Sequence, residues 1–506
     1  MNPIYSLFIA VICSISALAQ NVSINTGPFD KTAKSCVGLI YADTSHIYSK
    51  TYSDKSFHIF KLSLDKLEET EIKKNKFPQY LGKSCIRFAF VEMDQKPLLI
   101  LTYYHKKTDK LSLCAARFDK DWTIDPNLVL LDEITGDGKR NKGVFNFEVS
   151  EDKQQLAVYS ENAWEKGKLL NMAVKIFDKD LNKLQAKEYQ LPYNGELCDV
   201  GQKMVLTKNV LYMLASNVEP LDMADSKVLG NRILCINLKD GLMKEVNIDL
   251  AGKFLFDITM KADEHGNLVC GGLYSIEKPK DYKLFFYGSG YRFASGAFCY
   301  LVNFNKFTVE QKQLIDLESE LKENKYNYYL KDLIVLNSGK VFMVSEQYRY
   351  VTIRSGSGNN KTSYTTYYYE DILINHFDLK ANTNWSRKIS KSQSRYEYGT
   401  LFYSYMPLYD KNKDELSLVM NADAEQLPDV SADKKIYLGD FKKIKFGCTI
   451  RFKINGDQHA SLEKLKTGET EYLVACRNAY VVNGKLLVNC CVNRADREAF
   501  GRIEIP

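Results

Sequence analysis

The stretch FDKDLNKLQ, residues 177–185, repeats a phrase that stands earlier in the chain, because residues 118–122 read FDKDW. The two copies begin 177 − 118 = 59 residues apart. In both copies an apolar run of β-type residues leads into a polar turn, which is the pattern of a β-hairpin. A phrase that recurs at this distance predicts a chain built from repeated small sheets.

Weaker copies of the phrase share the same order of apolar strand and polar turn. They are KLSLDKL (61–67), CINLKDG (235–241), LVNFNKF (301–307), NHFDLKA (375–381) and IRFKING (450–456). A second kind of apolar run precedes each copy, and these runs begin at positions 46, 97, 155, 210, 267, 340, 415 and 485. Successive starts lie between 97 − 46 = 51 and 415 − 340 = 75 residues apart, which gives eight units.

Units of this length with several short strands are typical of a β-propeller, in which each blade is a four-stranded antiparallel sheet. The inner strands should be almost continuously apolar, as PLLILTYY (97–104) and KLLVNCCV (485–492) are, since neighbouring blades cover both faces. We predict an all-β fold, a β-propeller of eight blades, with seven as the competing count because unit one is the least regular. A single domain over 20–506 contains units near 36–73, 85–132, 144–191, 198–250, 254–316, 329–390, 401–466 and 472–506.

The last unit ends immediately after its third strand, FGRIEIP (500–506), and so lacks an outer strand. An unpaired edge would expose backbone donors and acceptors, and propellers avoid this by borrowing a strand from the other terminus. NVSINTGPF (21–29) precedes unit one and is the natural donor. We predict that this N-terminal strand closes the ring.

The first twenty residues carry no charged side chain, run apolar from Ile4 to Ala19, and end in Ala17-Leu18-Ala19. This pattern predicts a signal peptide over residues 1–19, and an exported protein that is periplasmic or extracellular. The apolar run is shorter than the roughly 20 residues that a membrane span needs, so we expect no transmembrane segment in the mature chain. Lipid attachment at Cys13 is the less favoured alternative, because bulky residues precede it.

The cysteines and histidines show no metal-ligand spacing. Removal of Cys13 leaves 12 − 1 = 11 cysteines, an odd number, and C-x-x-C is absent. Cys114, Cys235, Cys299 and Cys448 fall inside apolar strands, where a free cysteine acts as a small apolar residue. We expect these four to pack in the core, and we predict no metal and no cofactor.

The formal net charge of +6 is modest for 506 residues. This charge slightly favours acidic partners, but it is smaller than is typical of proteins that bind nucleic acid. We therefore expect no nucleic acid among the partners.

In its multi-unit organisation and export signal the chain resembles the secreted propeller-like proteins of Gram-negative bacteria. The resemblance covers nearly the whole mature chain and implies the fold. It implies no activity, because the Trp-Asp marks of one propeller class and the Asp-box of the sialidase type are absent from the sequence.

The connection between the second and third strands lengthens along the chain. Four successive connections, 219–231, 275–296, 348–371 and 422–446, are long. In antiparallel blades these loops all leave the ring on the same side, so we predict one raised wall over half of one face. Long loops on a rigid scaffold are a common place for binding.

These loops are rich in aromatic and basic residues, of a kind that binds partners at low entropic cost. The predicted ligand- or partner-binding residues are Tyr287, Tyr291, Arg292, Phe293, Tyr348, Arg349, Tyr350, Tyr364, Tyr367, Tyr369, Phe441 and Lys442. The competing hypothesis is that the loops are extended hairpins whose alternate aromatic rings pack on one another.

We predict a non-catalytic secreted or envelope propeller that binds a protein or polysaccharide partner through the long loops. A carbohydrate-active hydrolase or lyase is the first alternative, with paired carboxylates meeting at the axial channel. A scaffold within an envelope complex is the second. The sequence identifies no catalytic residue.

Overall fold

The computed structural model describes eighteen stretches of the chain. They are residues 24–26, 39–43, 45–53, 56–136, 143–163, 168–194, 198–218, 230–277, 294–321, 328–355, 362–396, 402–426, 435–438, 447–465, 472–476, 480–482, 485–492 and 498–504. The described residues are mainly strands and the turns that join them, with one short helix, α1 (Glu318–Leu321), and one 3-10 turn (Ala424–Gln426). The predicted signal peptide lies outside these stretches.

The strands form eight sheets. After β1 (Ile24–Thr26), sheet one contains β2 (Leu39–Ala42), β3 (His46–Ser53), β4 (Ser56–Ser63) and β5 (Glu69–Lys76). Sheet two contains β6 (Cys85–Met93), β7 (Lys96–His105), β8 (Lys110–Arg117) and β9 (Val129–Thr135). Sheet three contains β10 (Val144–Val149), β11 (Gln155–Glu161), β12 (Leu169–Asp178) and β13 (Lys183–Asn194). Sheet four contains β14 (Asp199–Leu206), β15 (Val210–Val218), β16 (Gly230–Asn237) and β17 (Met243–Asn247).

The second half of the chain continues the series. Sheet five contains β18 (Phe254–Ala262), β19 (Leu268–Ser275), β20 (Gly296–Val302) and β21 (Val309–Asp316). Sheet six contains β22 (Tyr328–Val335), β23 (Lys340–Ser355), β24 (Thr362–Asp378), β25 (Thr383–Ile389), β26 (Lys391–Tyr396) and, from farther along the chain, β29 (Ile436–Leu438). Sheet seven contains β27 (Met406–Tyr409), β28 (Glu415–Asp423), β30 (Gly447–Asn455) and β31 (Ala460–Lys464). Sheet eight contains β32 (Tyr472–Val474), β33 (Tyr480–Val482), β34 (Lys485–Val492) and β35 (Glu498–Glu504).

The FDKD phrase forms the polar turn that the sequence predicts, and this turn joins the third and fourth strands of sheets two and three. Asp178 accepts hydrogen bonds from the backbone N–H groups of Asp180 (2.9 Å) and Asn182 (2.8 Å), and Leu181 adopts a positive φ of 66°. Asp119 accepts the same two bonds in sheet two, with Trp122 at a φ of 59°. An aspartate side chain that replaces the backbone as acceptor stabilises this turn, which explains why the phrase recurs.

In sheets one to six the first strand is the innermost one. The first strands of sheets one to six contact one another in succession, from β2 and β6 to β18 and β22. Apolar clusters fill the spaces between neighbouring sheets, and central strands such as β19 are buried along their whole length. Cys114, Cys235, Cys299 and Cys448 lie in these clusters as free, buried thiols, which confirms the packing prediction. The sheet order defines a β-propeller.

The N-terminal strand completes the last sheet. Strand β1 pairs antiparallel with β35, with Ile24 opposite Ile503 and Thr26 opposite Gly501. Arg502 also donates a hydrogen bond from Nη1 to the backbone oxygen of Leu64 in sheet one (3.0 Å). Sheet eight is therefore closed by the N-terminal strand, as predicted, and is tied to sheet one. The count of eight blades in the ring stays a prediction.

Candidate binding platform

The hairpin of β23 and β24 extends well beyond its sheet. Their pairing runs from Lys340 opposite Asp378 to Ser355 opposite Thr362, whereas β22 covers β23 only as far as Gln347. The extension is the long loop that the sequence predicts at 348–371, and it is β-structure rather than an irregular loop.

Two further strands join this extension. Strand β26 pairs with β24 from Thr366 to Tyr369, and β29 adds in parallel to β26. Because β29 belongs to the connection between β28 and β30, loops of sheets six and seven are built into one surface. We call 348–355, 362–370, β26 and β29 the platform.

One face of the platform packs inward. Tyr369 is 2% exposed and stacks on Tyr403, with ring centroids 6.1 Å apart. Tyr348 and Tyr367 are half-buried against the same apolar cluster, which includes Leu438. The packing hypothesis therefore describes these three tyrosines, whose alternation follows from the two-residue repeat of a strand.

The other face of the platform is exposed. In the strand register Val351 and Ile353 share this face with Tyr364 and Tyr368, and Tyr437 of β29 joins them. Ile353 is 45% exposed, and Val351 and Tyr437 are each 39% exposed. Tyr350 points to the inward side but lies far enough out on the hairpin to be 51% exposed.

Arg349 is held within the platform. Its guanidinium lies 3.9 Å from the ring centroid of Tyr368 and forms two hydrogen bonds with Glu370, at 3.2 Å from Nε and 3.1 Å from Nη2. The Glu370 carboxylate raises the pKa of Arg349. A two-bonded arginine on an aromatic ring is geometrically fixed. Arg349 thus stiffens the exposed face and presents a paired charge.

A buried ion pair anchors the platform to the ring. The Nζ of Lys391, the first residue of β26, lies 2.6 Å from Oε1 of Glu346, and neither side chain is exposed. Lys331 of the innermost strand β22 forms a second ion pair with Glu346. Burial alone would raise the pKa of Glu346, but the two lysines hold it below its usual range. Burial lowers the pKa of Lys391, and Glu346 opposes that effect.

Amide groups extend the anchor. Gln393 accepts hydrogen bonds from Lys391 Nζ (3.2 Å) and from the backbone N–H of Ser404 (2.7 Å), whose φ of 78° is unusual for serine. Ser404 in turn donates from Oγ to Glu346 (2.6 Å). The amide of Asn421 pairs with both the N–H and the oxygen of Val474, at 2.9 and 2.7 Å. The network joins sheets six, seven and eight beneath the platform.

Polar links also join the innermost strands. Asp257 lies 3.6 Å from Lys203 Nζ on one side and accepts from the backbone N–H of Leu330 on the other (3.1 Å). Lys411 reaches Glu151 of sheet three, 2.8 Å away, from the turn between β27 and β28. These contacts connect the first strands of sheets four to six and the turns of sheets three and seven.

One carboxyl beside sheet four is poised near neutral pH. Glu161 accepts a hydrogen bond from the Tyr159 hydroxyl (2.7 Å), and both groups are buried. Burial raises the pKa of Glu161 to about 7, and Asp199 adds to the effect. Such a carboxyl can hold a proton at neutral pH.

Six of the twelve predicted site residues lie on the platform: Tyr348, Arg349, Tyr350, Tyr364, Tyr367 and Tyr369. The other six lie outside the described residues: Tyr287, Tyr291, Arg292, Phe293, Phe441 and Lys442. Sequence reasoning missed Val351 and Ile353 on the exposed face and the Glu346–Lys391 anchor, whereas Tyr437 belongs to the aromatic content of the predicted loop 422–446. The alternation in YRYVTIR, if the segment is taken as a strand, predicts that Val351 and Ile353 share one face. No local sequence pattern indicates the Glu346–Lys391 anchor.

Two features are absent from the described stretches of the chain. In those stretches no helix is long and apolar enough to cross a membrane. Over the same part of the chain, no group of three or more His, Cys, Asp or Glu side chains is placed to hold a metal ion.

The strand order within the sheets places the protein in the class of β-propellers. No protein-family model and no curated protein matches the chain. Among solved structures it is similar to the Dos1 propeller, with 8% identity, 95% of each chain covered and a TM-score of 0.40. Saccharomyces cerevisiae Sqt1 gives 10% identity over 92% of this chain and 94% of that one, with a TM-score of 0.39. Polysaccharide lyase Uly1 gives 9% identity over 94% and 90%, with a TM-score of 0.39.

Proposed function

We propose that the protein is a non-catalytic binding propeller, exported to the cell envelope, whose platform captures a protein or polysaccharide partner. The observation that carries this proposal is the exposed face of the platform. There Val351, Ile353 and Tyr437 present apolar area on strands that are fixed from below. The surface of a soluble protein rarely groups exposed apolar residues unless they bind a partner.

The physical basis is preorganisation. Full burial of one valine or isoleucine side chain stabilises a complex by about 1.5–3 kcal/mol, and the gain is kept only if little order is lost on binding. The Arg349–Glu370 fork and the buried Glu346–Lys391 pair hold the platform before any partner arrives. Its exposed residues are therefore suited to act as a hot spot.

The test shortens the hairpin. Replacing residues 351–366 by Asn-Gly leaves Tyr350 opposite Tyr367 and supplies a two-residue turn. We expect this variant to lose capture of envelope proteins or polysaccharides in pull-down and glycan-array assays while its melting temperature stays close to that of the wild type.

Point variants sharpen the test. Ile353→Ser combined with Tyr437→Ser should weaken capture at least tenfold, the loss expected when about 1.4 kcal/mol of contact is removed. Leu184→Ser and Leu242→Ser are matched controls, since these leucines are 56% and 59% exposed on other sheets. Equal capture by the platform variants and the controls would refute the proposal.

A hydrolase or lyase is the second candidate, and Glu161 is the observation that favours it. A carboxyl with a pKa near 7 beside a tyrosine hydroxyl is suited to acid–base catalysis. Turnover of an acidic or neutral polysaccharide that Glu161→Gln abolishes, with the hairpin variant still active, would replace the binding proposal by this one.

A further inference from the structure

A cleft opens between sheets two and three, away from the platform. Its inner part has a volume of about 410 Å³ and is lined mainly by apolar residues of the two sheets, among them Ile100, Leu111 and Phe145. An outer part of about 480 Å³ is lined by polar residues of sheet three, among them Asn171 and Glu188. These volumes are in the range of ligand-binding sites.

The two parts form one continuous wall of sheet three. Phe145 is opposite Ser160, Ser160 is opposite Ala173, and Ala173 is opposite Glu188, so the four side chains share one face. Adjacent strands lie about 4.8 Å apart, and three such steps give a wall of roughly 14 Å. The wall runs from the innermost strand to the outermost one.

The cleft is open because its wall is built from small side chains. Ser160 and Ala173 occupy the middle of the row and line the outer part, and Thr102 of sheet two lines the inner part. Two residues from Ala173 on the same face, Lys175 forms an ion pair with Asp132 of sheet two. The sheets therefore meet at that level, and the space beyond it stays unfilled.

Ser160 marks the cleft as a site for a polar group. The residue is only 3% exposed and lines the outer part of the cleft. Its hydroxyl can donate one hydrogen bond to a polar group of a ligand and accept others from it.

The distribution of charged and apolar side chains predicts how a ligand would be oriented in the cleft. Among the described residues that line the outer part, Glu188 is the one charged side chain, and the rest are amides, hydroxyls and apolar groups. The inner part is apolar, with Arg87 at its exposed rim. An acidic, amide-rich end suits a neutral or cationic head that donates hydrogen bonds, and the other end suits a hydrocarbon chain.

We propose that this cleft binds an elongated amphipathic molecule. Its apolar chain would lie between Phe145 and Leu111, and its hydroxyl- or amine-bearing head would contact Ser160 and Glu188. A sugar head and an amine head share this chemistry, and the experiment distinguishes them. The site is separate from the platform and does not depend on the proposed function.

The experiment measures binding of three eight-carbon probes below their micelle concentrations by calorimetry: octyl glucoside, octylamine and octanoate. We expect one saturable site for at least one of the first two, and weaker binding of octanoate because Glu188 repels its carboxylate. Ala173→Phe should weaken the bound probe at least tenfold by filling the cleft. Ser160→Ala should weaken it about fivefold, the value of one neutral hydrogen bond.

Controls separate the site from general effects. Ser461→Phe adds the same ring at an exposed position on β31, the outermost strand of sheet seven, and should leave binding unchanged. Glu188→Gln should weaken octylamine more than octyl glucoside if the head is cationic, and affect both equally if it is a sugar. The proposal is overturned if wild type shows no saturable site, if octanoate binds best, or if Ser160→Ala and folded Ala173→Phe bind like wild type.

Discussion

Removal of one partner from the buried Glu346–Lys391 pair is expected to destabilise the protein strongly. Glu346→Leu leaves the Lys391 ammonium in an unexposed site where, among the described residues, the remaining acceptors are Gln393 Oε1 and the Tyr369 backbone oxygen, at 3.2 and 3.4 Å. Loss of one member of a buried pair costs about 3–5 kcal/mol. The cost has two parts, the lost attraction and the uncompensated charge.

The double variant separates these two parts. The double variant, Glu346→Leu with Lys391→Met, retains neither buried charge, although Lys331 and Ser404 lose the Glu346 carboxylate as an acceptor. We expect the double variant to be less destabilised than Glu346→Leu alone, with a coupling free energy of about 2–4 kcal/mol between the two positions. Lys391→Met alone should cost less than Glu346→Leu, because Lys331 still pairs with Glu346.

Chemical unfolding of the four proteins gives the free energies, and amide hydrogen exchange at residues 366–369 reports whether the platform loosens first. Faster exchange in β24 next to β26, with sheets two to four unchanged, is the expected pattern. A coupling free energy near zero, or single variants within 1 kcal/mol of wild type, would show that the pair does not anchor the platform.

Three further predictions concern other parts of the ring. The pKa of Glu161 is raised from 4.5 to about 7, so the folded state keeps a proton that the unfolded state loses in this range. Protonated Glu161 therefore contributes about 3 kcal/mol to the free energy of unfolding below pH 4.5, and this contribution is lost as pH rises through 7. The free energy of unfolding of Glu161→Gln should accordingly fall less between pH 5 and pH 8 than that of the wild type. Gly201→Ala should cost about 1–3 kcal/mol in the same assay, because φ is +72° and the new Cβ would lie 3.0 Å from the Tyr159 ring; a neutral result would contradict this geometry. Burial raises the pKa of Cys114 and Cys235 to about 12, so both should resist a thiol reagent until the protein unfolds, and rapid labelling of the native protein would show that they are exposed.

Local patterns were sufficient to predict the fold. The turn at Asp178 is determined by its own side chain and by the residues within four positions of it, so its recurrence could be read along the chain. The pairing of β1 with β35 is a long-range contact, yet a missing outer strand and an unused apolar segment implied it. Both predictions needed only strand pattern and backbone pairing.

The site required information that the sequence does not display. Glu346 and Lys391 are 45 residues apart, and β29 reaches β26 from another sheet. The sequence predicts the hairpin loop, but which of its aromatic rings face solvent depends on register, since a shift of one residue exchanges the two faces. The cleft depends on two small side chains, Ser160 and Ala173, that look ordinary until the opposing sheet is in place.

Disulfide trapping tests the closure of the ring most directly. Asn25 and Arg502 are opposite each other in the antiparallel register, so the pair Asn25→Cys and Arg502→Cys should oxidise to one linked peptide by mass spectrometry of the native protein. Asn25→Cys with Phe500→Cys, two residues out of register, should not. Closure by the N-terminal strand predicts linkage in the first pair alone; no linkage, or equal linkage in both pairs, would contradict it.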